Sequence, residues 1–260
     1  MPLFALDRCA LVGMVHALPL PGSPRWGGDM GAILDAAARD AEALLAGGCD
    51  ALLVENMHDL PYLRAHVAPE TVAAMTLVTA RVTAFGAPTG VQVLAAANRE
   101  ALGVALAAGA RFVRAEAFAY AHVADEGWID ASAGELLRAR RALGAEVAFW
   151  ADIKKKHAAH AVTADLSVAD VARGHAFCGA DALIVTGAET GRSADLADVE
   201  AARGAGLPVV VGSGITDANA AAFAARADAL IVGSWLKQDG DWRRPVDRDR
   251  VRRLADAVRS

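Results

Sequence analysis

One short phrase recurs along the chain: a small residue and an aspartate precede a run of apolar residues. It occurs at 49–54, 180–185 and 227–232, with a looser copy at 109–114. Each run has the length of a β-strand that is buried on both faces, and each follows an alanine-rich amphipathic stretch of helical length. Buried strands that alternate with helices are typical of parallel α/β folds.

Extending this pattern gives eight strands and eight helices. The strands are expected near 11–15, 50–55, 89–94, 111–116, 147–152, 181–186, 208–212 and 228–233, and the helices near 30–46, 70–85, 98–108, 132–143, 167–177, 194–204, 217–226 and 247–258. We therefore predict a single (β/α)8 TIM barrel over residues 1–260. A doubly wound sheet is the alternative, but such sheets rarely use eight equivalent units.

Composition narrows the class of protein further. With 55% hydrophobic and 22% charged residues, the chain can bury a large core, which excludes wholesale disorder. A net charge of −5 without a basic tract argues against a nucleic-acid-binding surface. No run of about 18 apolar residues occurs, so no transmembrane segment is expected. The three cysteines are far apart, as in reduced intracellular proteins, and we expect a cytoplasmic homo-oligomer.

Polar residues gather where the predicted strands end. Strand-to-helix connections such as 117–131 and 153–166 are long, and barrels build their sites on that face. Period-two alternation directs a set of side chains inward there: His16, Glu55, Gln92, Arg114, Glu116, Asp152, Lys154 and Thr186. So many ionisable groups favour an active or ligand site over the alternative, a structural ion-pair network.

These residues divide by chemistry. The candidates for proton transfer are Glu55, Glu116, Asp152 and Lys154, with Arg114 stabilising charge. The candidates for substrate binding are His16, Gln92 and Thr186. A divalent metal is possible, with Glu55, Glu116, Asp152 and His157 as ligands, although no spacing demands one and no cofactor is firmly implied.

Lysine usage points to the end of the fifth predicted strand. The chain has only four lysines, and three of them form the run Lys154-Lys155-Lys156. A titratable amine there could act as a base, a Schiff-base nucleophile or a phosphate clamp, whereas a solvated charge run is the alternative for one or two of the three. Alternation predicts that Lys154 shares the inward face with Asp152 and forms a cluster with Glu116.

Glycine-rich turns follow the last two predicted strands. They contain Gly212, Ser213 and Gly214 after the seventh strand, and Gly233 and Ser234 after the eighth. Glycine lets backbone N–H groups approach an anion closely, and the N-terminus of a following helix adds its dipole. Paired turns at these places predict a phosphate site, with simple tight turns as the alternative.

The sequence also resembles the BtpA/SgcQ family over nearly its whole length. The matching motifs are Gly13-Met14-Val15-His16, the proline-rich stretch 18–24, Val54-Glu55-Asn56, 152–157, Val185-Thr186-Gly187, 211–214, Val232-Gly233-Ser234, Leu236-Lys237 and Asp239-Gly240. The resemblance implies a barrel of the ribulose-phosphate-binding type. The family name comes from a role in photosystem I accumulation, and other members look like enzymes of sugar or nucleoside metabolism.

One segment departs from the family pattern. Many relatives carry Asn-x-Leu-Arg-Asn-Asp after the third strand, whereas this chain reads Gln92-Val93-Leu94-Ala95-Ala96-Ala97. The arginine, asparagine and aspartate side chains of that motif are therefore missing here.

Two functions from different classes remain open. The first is a lyase, isomerase or hydrolase that acts on a small phosphorylated ligand, a sugar phosphate or nucleotide, at the C-terminal face of the barrel. The second is a non-catalytic assembly or regulatory factor of the photosystem-biogenesis type, with the barrel as a ligand-binding or peripheral membrane scaffold. The fold alone does not distinguish these two functions, but the ionisable residues gathered at the strand ends favour the enzyme.

Overall fold

Eight parallel strands close into a barrel in the computed structural model, which describes residues 4, 6–155, 157–187 and 193–260. The strands of the chain are β1 (Ala10–His16), β2 (Ala51–Glu55), β3 (Thr89–Gln92), β4 (Phe112–Ala115), β5 (His122–Ala124), β6 (Gly127–Ile129), β7 (Ala148–Asp152), β8 (Ala158–Ala159), β9 (Ala182–Val185), β10 (Val209–Val211) and β11 (Ala229–Val232). The order around the barrel is β1-β11-β10-β9-β7-β4-β3-β2. The predicted (β/α)8 fold is confirmed.

Helices surround the barrel and cover its outer surface. They are α1 (Met30–Gly47), α2 (Pro69–Thr83), α3 (Asn98–Ala108), α4 (Ala133–Ala142), α5 (Val168–Phe177), α6 (Leu196–Arg203), α7 (Ala220–Ala224) and α8 (Arg248–Arg259). Short polar side chains begin several of them: Asp29 caps α1, and Ser167 and Asp170 form a capping box on α5. In the described part of the chain, none of these helices has the length and apolar character needed to cross a bilayer.

The recurring aspartates explain why the phrase repeats. Asp50 donates its backbone N–H to the carbonyl of Leu11, and its carboxylate accepts the N–H of the same residue. Asp181 makes this pair of bonds with Phe149, and Asp228 makes it with Val209. Each aspartate therefore fixes the start of its own strand against a neighbouring strand at the amino-terminal end of the barrel.

The barrel interior is filled by inward-facing apolar side chains. Phe112 and Trp150 stack with ring centroids 3.7 Å apart at the centre. Glycine on β3 makes this possible, because a Cβ on Gly90 would lie 2.1 Å from the Phe112 ring. The alternate residues of the strands, such as Phe149, face outward and pack against the helices. Because the interior is packed, a functional site must lie beyond this core, at the carboxyl end of the barrel.

One feature is absent from the sequence-based prediction. β5 and β6 form an antiparallel hairpin after β4, and β8, in the loop after β7, pairs with β5. The resulting three-stranded sheet connects two long loops at the carboxyl end of the barrel. Its strands have only two or three residues, too short for periodicity to reveal.

Candidate active site at the carboxyl end of the barrel

Two adjoining cavities occupy the carboxyl end of the barrel. The first has a volume of about 180 Å³ and is lined by both glycine-rich turns, together with His16. The second has a volume of about 250 Å³ and is lined by Gln92, Glu116 and Lys155 among others. Glu55, Met57 and Arg114 line both. A ligand that extends from one cavity into the other, past these three residues, can therefore contact the lining of both.

The turns of the first cavity are shaped by close approaches to their glycines. A Cβ on Gly233 would lie 3.1 Å from Nε2 of His16, and one on Gly212 would lie 3.0 Å from Cγ2 of Ile184. Gly214 has a φ of +64°, which disfavours other residues. Substitution at these positions would intrude on the cavity or strain its wall.

Backbone N–H groups of these turns differ in availability. The N–H of Gly212 donates to the carbonyl of Val185 at 2.9 Å, so the sheet uses it. Within the described residues, no backbone carbonyl accepts from Gly233 or Ser234. The helix predicted near 217–226 is reduced to Ala220–Ala224, because residues 216–219 form a turn in which the Asn219 side chain accepts the N–H of Thr216. The N–H of Ala220 still donates to the carbonyl of Thr216, so this turn leads directly into the helix, and the contribution of its dipole stays a prediction.

His16 is held at the edge of the first cavity. Its Nε2 lies 3.7 Å from a carboxylate oxygen of Glu55, its partner in the register of β1 and β2. Its Nδ1 lies 3.4 Å from the carbonyl oxygen of Trp242. The pair thus reaches the shared wall from two adjacent strands. Thr186 lies beside Gly212 and donates its hydroxyl to the Lys154 carbonyl at 3.0 Å.

Arg114 and Asp152 form a bidentate ion pair under the shared wall. Nε and Nη2 of Arg114 donate to the two carboxylate oxygens of Asp152 at 3.1 and 3.0 Å. Both side chains are buried, because alternation turns Arg114 of β4 and Asp152 at the end of β7 inward. Asp152 has committed both oxygens, so its geometry suits fixing Arg114 better than transferring protons.

Glu116 is the carboxylate with the most unusual surroundings. Its Oε2 accepts the backbone N–H of Ala96 at 2.9 Å, and its Oε1 accepts from Nε2 of Gln92 at 3.2 Å. Burial raises the pKa of Glu116 to about 7, although Lys155 acts in the opposite direction. A group with such a pKa can give or take a proton near neutral pH.

The lysine of this cluster is Lys155, not Lys154. Nζ of Lys155 lies 3.5 Å from Oε2 of Glu116. The expected position of Lys154 is wrong because β7 ends at Asp152 and the chain bends at 153–154, which ends the alternation. Lys154 is half-buried and supplies its carbonyl to Thr186. Lys156 lies outside the described residues.

Glu126 is a site residue that the sequence-based prediction missed. It lies at the tip of the β5–β6 hairpin, and its Oε2 accepts from Nζ of Lys155 at 3.1 Å. Its side chain is only 6% exposed. The length of the loop at 117–131 was the only signal for it, because the cross-loop contact depends on the pairing of β5 with β8.

The proposed metal ligands do not assemble into a metal site. Among the described residues, no three histidine, cysteine, aspartate or glutamate side chains are placed to hold an ion. Asp152 is paired with Arg114, and Glu116 is engaged by Ala96, Gln92 and Lys155. His157 lies at the rim of the second cavity in a left-handed conformation, with a φ of 56°. The donor set therefore suits an organic ligand better than a cation.

Known structures share this architecture. KGPDC from Streptococcus mutans superposes with a TM-score of 0.62 at 13% identity, covering 97% of this chain and 98% of that chain. Phosphoribosyl anthranilate isomerase from Thermus thermophilus gives a TM-score of 0.56 at 17% identity, covering 96% and 98%. At such identities the likeness concerns the fold.

Sequence relatives extend over the same length. A protein of Caenorhabditis elegans described as uncharacterized and mitochondrial is 44% identical, covering 94% of this chain and 91% of the relative. The photosystem I biogenesis protein BtpA of Synechocystis is 39% identical, covering 95% and 87%. The model of the BtpA family matches residues 7–260. The chain therefore belongs to the BtpA family.

Proposed function

We propose that the protein is an enzyme that acts on a small phosphorylated molecule, a sugar phosphate or nucleotide. The observation that carries the proposal is the division of the barrel mouth into two cavities with a common wall. One cavity offers backbone N–H groups, and the other offers a carboxylate whose pKa burial raises to about 7. Binding and chemistry can thus be performed side by side on one ligand.

The phosphate group is assigned to the first cavity. The N–H groups of Gly233 and Ser234 supply hydrogen-bond donors there, and Gly214, in the other glycine-rich turn, also lines the cavity. Arg114 borders the same cavity and adds positive charge at its floor. Backbone donors arranged around a small cavity bind phosphate without the cost of ordering long side chains.

The reacting group is assigned to the second cavity. Glu116 exchanges the proton, while Lys155 stabilises its ionised form by an ion pair at 3.5 Å. Glu55 lies on the shared wall, within reach of both halves of a bound ligand. Lyase, isomerase and hydrolase reactions all use such a positioned acid or base.

A non-catalytic role is the second candidate, since the Synechocystis relative is named for photosystem I biogenesis. The buried Glu116 favours the enzyme, because a carboxylate kept from water without a function costs stability. Tight binding of a phosphorylated ligand without turnover would favour the factor.

The proposal is tested by titrating the protein with a panel of sugar phosphates and nucleotides, each compared with its dephosphorylated form. We expect phosphorylated ligands to raise the melting temperature, and Gly214→Val to weaken them at least about 10-fold more than the dephosphorylated forms. Turnover of the bound ligand should fall at least about 100-fold in Glu116→Gln. Equal weakening of both ligand forms would contradict the phosphate site, and unchanged turnover would remove Glu116 from the mechanism.

A further inference from the structure

One buried hydrogen-bond acceptor of the second cavity has no donor partner among the described residues. Gln92 is 2% exposed, and its Nε2 donates to Glu116. Its carbonyl oxygen Oε1 is buried and has no partner among the described residues. A buried acceptor without a donor costs free energy, so this oxygen points to a ligand group that donates a hydrogen bond.

Two of the donors that line the cavity are already engaged by the protein. Nζ of Lys155 contacts Glu116 and Glu126 at 3.5 and 3.1 Å. The hydroxyl of Tyr62 donates to the carbonyl of Met57 at 2.8 Å. A ligand that took a hydrogen bond from Lys155 or Tyr62 would have to compete with one of these contacts. A ligand that supplies donors would leave them intact.

Charge distinguishes between kinds of donor. Among the described residues, four carboxylates line the cavity, those of Glu55, Glu116, Asp125 and Glu126. The two cations of this lining are Lys155 and Arg114, and Arg114 is neutralised by its bidentate ion pair with Asp152. Burial lowers the pKa of Lys155, but Glu116 and Glu126 outweigh it and hold that pKa above its ordinary value. With its charge shared between two carboxylates, Lys155 leaves the cavity with excess negative charge. A hydroxyl both donates and accepts, whereas an amino group beside these carboxylates acts as a donor, and a protonated amine also carries the complementary charge.

We propose that the second cavity binds an amino group, so that the ligand carries phosphate at one end and an N–H donor at the other. Gln92 Oε1 accepts from this group, and Glu126 and Asp125 complement its charge. The rings of Tyr62 and Trp242 form part of the cavity wall and can cover the faces of a sugar or heterocycle. The inference rests on the proposed function, because it takes the first cavity as the phosphate half.

The test uses two matched ligand pairs that differ in an amino group: glucosamine 6-phosphate against glucose 6-phosphate, and adenosine monophosphate against purine riboside monophosphate, which lacks the amino group of adenine. Calorimetric titration should show the aminated member binding at least about 10-fold more tightly in one pair, the ratio expected for one hydrogen bond to a charged partner. The pair that shows the preference identifies the amine as that of a sugar or of a heterocycle.

Substitutions in the second cavity test whether the tighter binding of the aminated ligand arises there. Gln92→Met and Glu126→Gln should each reduce it several-fold, whereas Asp165→Asn, the same loss of charge on an exposed loop, should preserve it. No preference in either pair, or one that survives both substitutions in folded protein, would overturn the assignment. If both members bind equally and Gly214→Val weakens both, only the amine inference fails. If no member binds and inorganic phosphate gives no protection, the proposed function fails with it.

Discussion

Glu116 and Lys155 face each other across the mouth of the barrel, with 3.5 Å between the carboxylate Oε2 and the ammonium Nζ. The two residues follow neighbouring barrel strands, β4 and β7, and both are buried. Their contact couples the protonation of the carboxylate to the presence of the amine.

Replacing Lys155 should therefore alter the acid–base behaviour of Glu116. In Lys155→Met the pKa of Glu116 should rise further above about 7, because the group that lowers it is gone. The pH dependence of turnover, or of the Glu116 carboxyl signal in carbon-13 NMR, should move upward. Lys154→Met is the matched control, and an equal shift in that variant would contradict the assignment of the ion pair.

Glu116 should also make stability depend on pH. Because its pKa is raised from 4.5 to about 7, the stability contributed by neutral Glu116 is complete below pH 4.5 and is lost as pH rises through 7. The free energy of unfolding of the wild type should therefore fall relative to that of Glu116→Gln between pH 5 and 8. Urea titrations at a series of pH values measure this difference. Glu135→Gln, on the exposed side of α4, should follow the wild type.

Removing one partner of the Arg114–Asp152 ion pair should destabilise the fold much more than removing both partners. Asp152→Leu leaves a buried guanidinium without a partner and should cost about 3–5 kcal/mol of stability. The double variant Arg114→Met with Asp152→Leu removes both charges and should recover much of that loss. Denaturation of Arg114→Met, Asp152→Leu and the double variant tests the coupling. Additive losses would show that the pair is not the source of the effect.

Two glycines should respond oppositely to alanine. Gly103 lies inside α3 with nothing within 4 Å of an added Cβ, so Gly103→Ala should raise stability by about 0.5–1 kcal/mol through helix propensity. A Cβ on Gly233 would lie 3.1 Å from His16, so Gly233→Ala should weaken phosphorylated ligands at the first cavity. Melting temperature and ligand titration on both variants check these signs. Unaltered affinity in Gly233→Ala would place the phosphate elsewhere.

The sequence predicts the barrel because every strand carries a local signal. Buried apolar runs and the aspartates that start them, such as Asp50 and Asp181, are visible without knowledge of the fold. Period-two alternation also directs Glu55 and Arg114 to the same end of the barrel, where the structure has them.

The rest depends on contacts between distant segments. Alternation fails for Lys154 because β7 ends two residues before it, and a bend rotates Lys155 inward instead. Glu126 is brought to the site by pairing between two loops more than 30 residues apart in sequence, Val123 with Ala159. Such pairing leaves no periodic trace in short segments.

The pairing of β5 with β8 has a mechanical consequence. Glu126 is carried by the hairpin after β4, and Lys155 by the loop after β7, and backbone hydrogen bonds join the two loops into one small sheet. Neither loop can swing outward alone without breaking those bonds. Any outward movement of either loop would therefore involve the whole sheet and would carry an acidic and a basic group away from the barrel together.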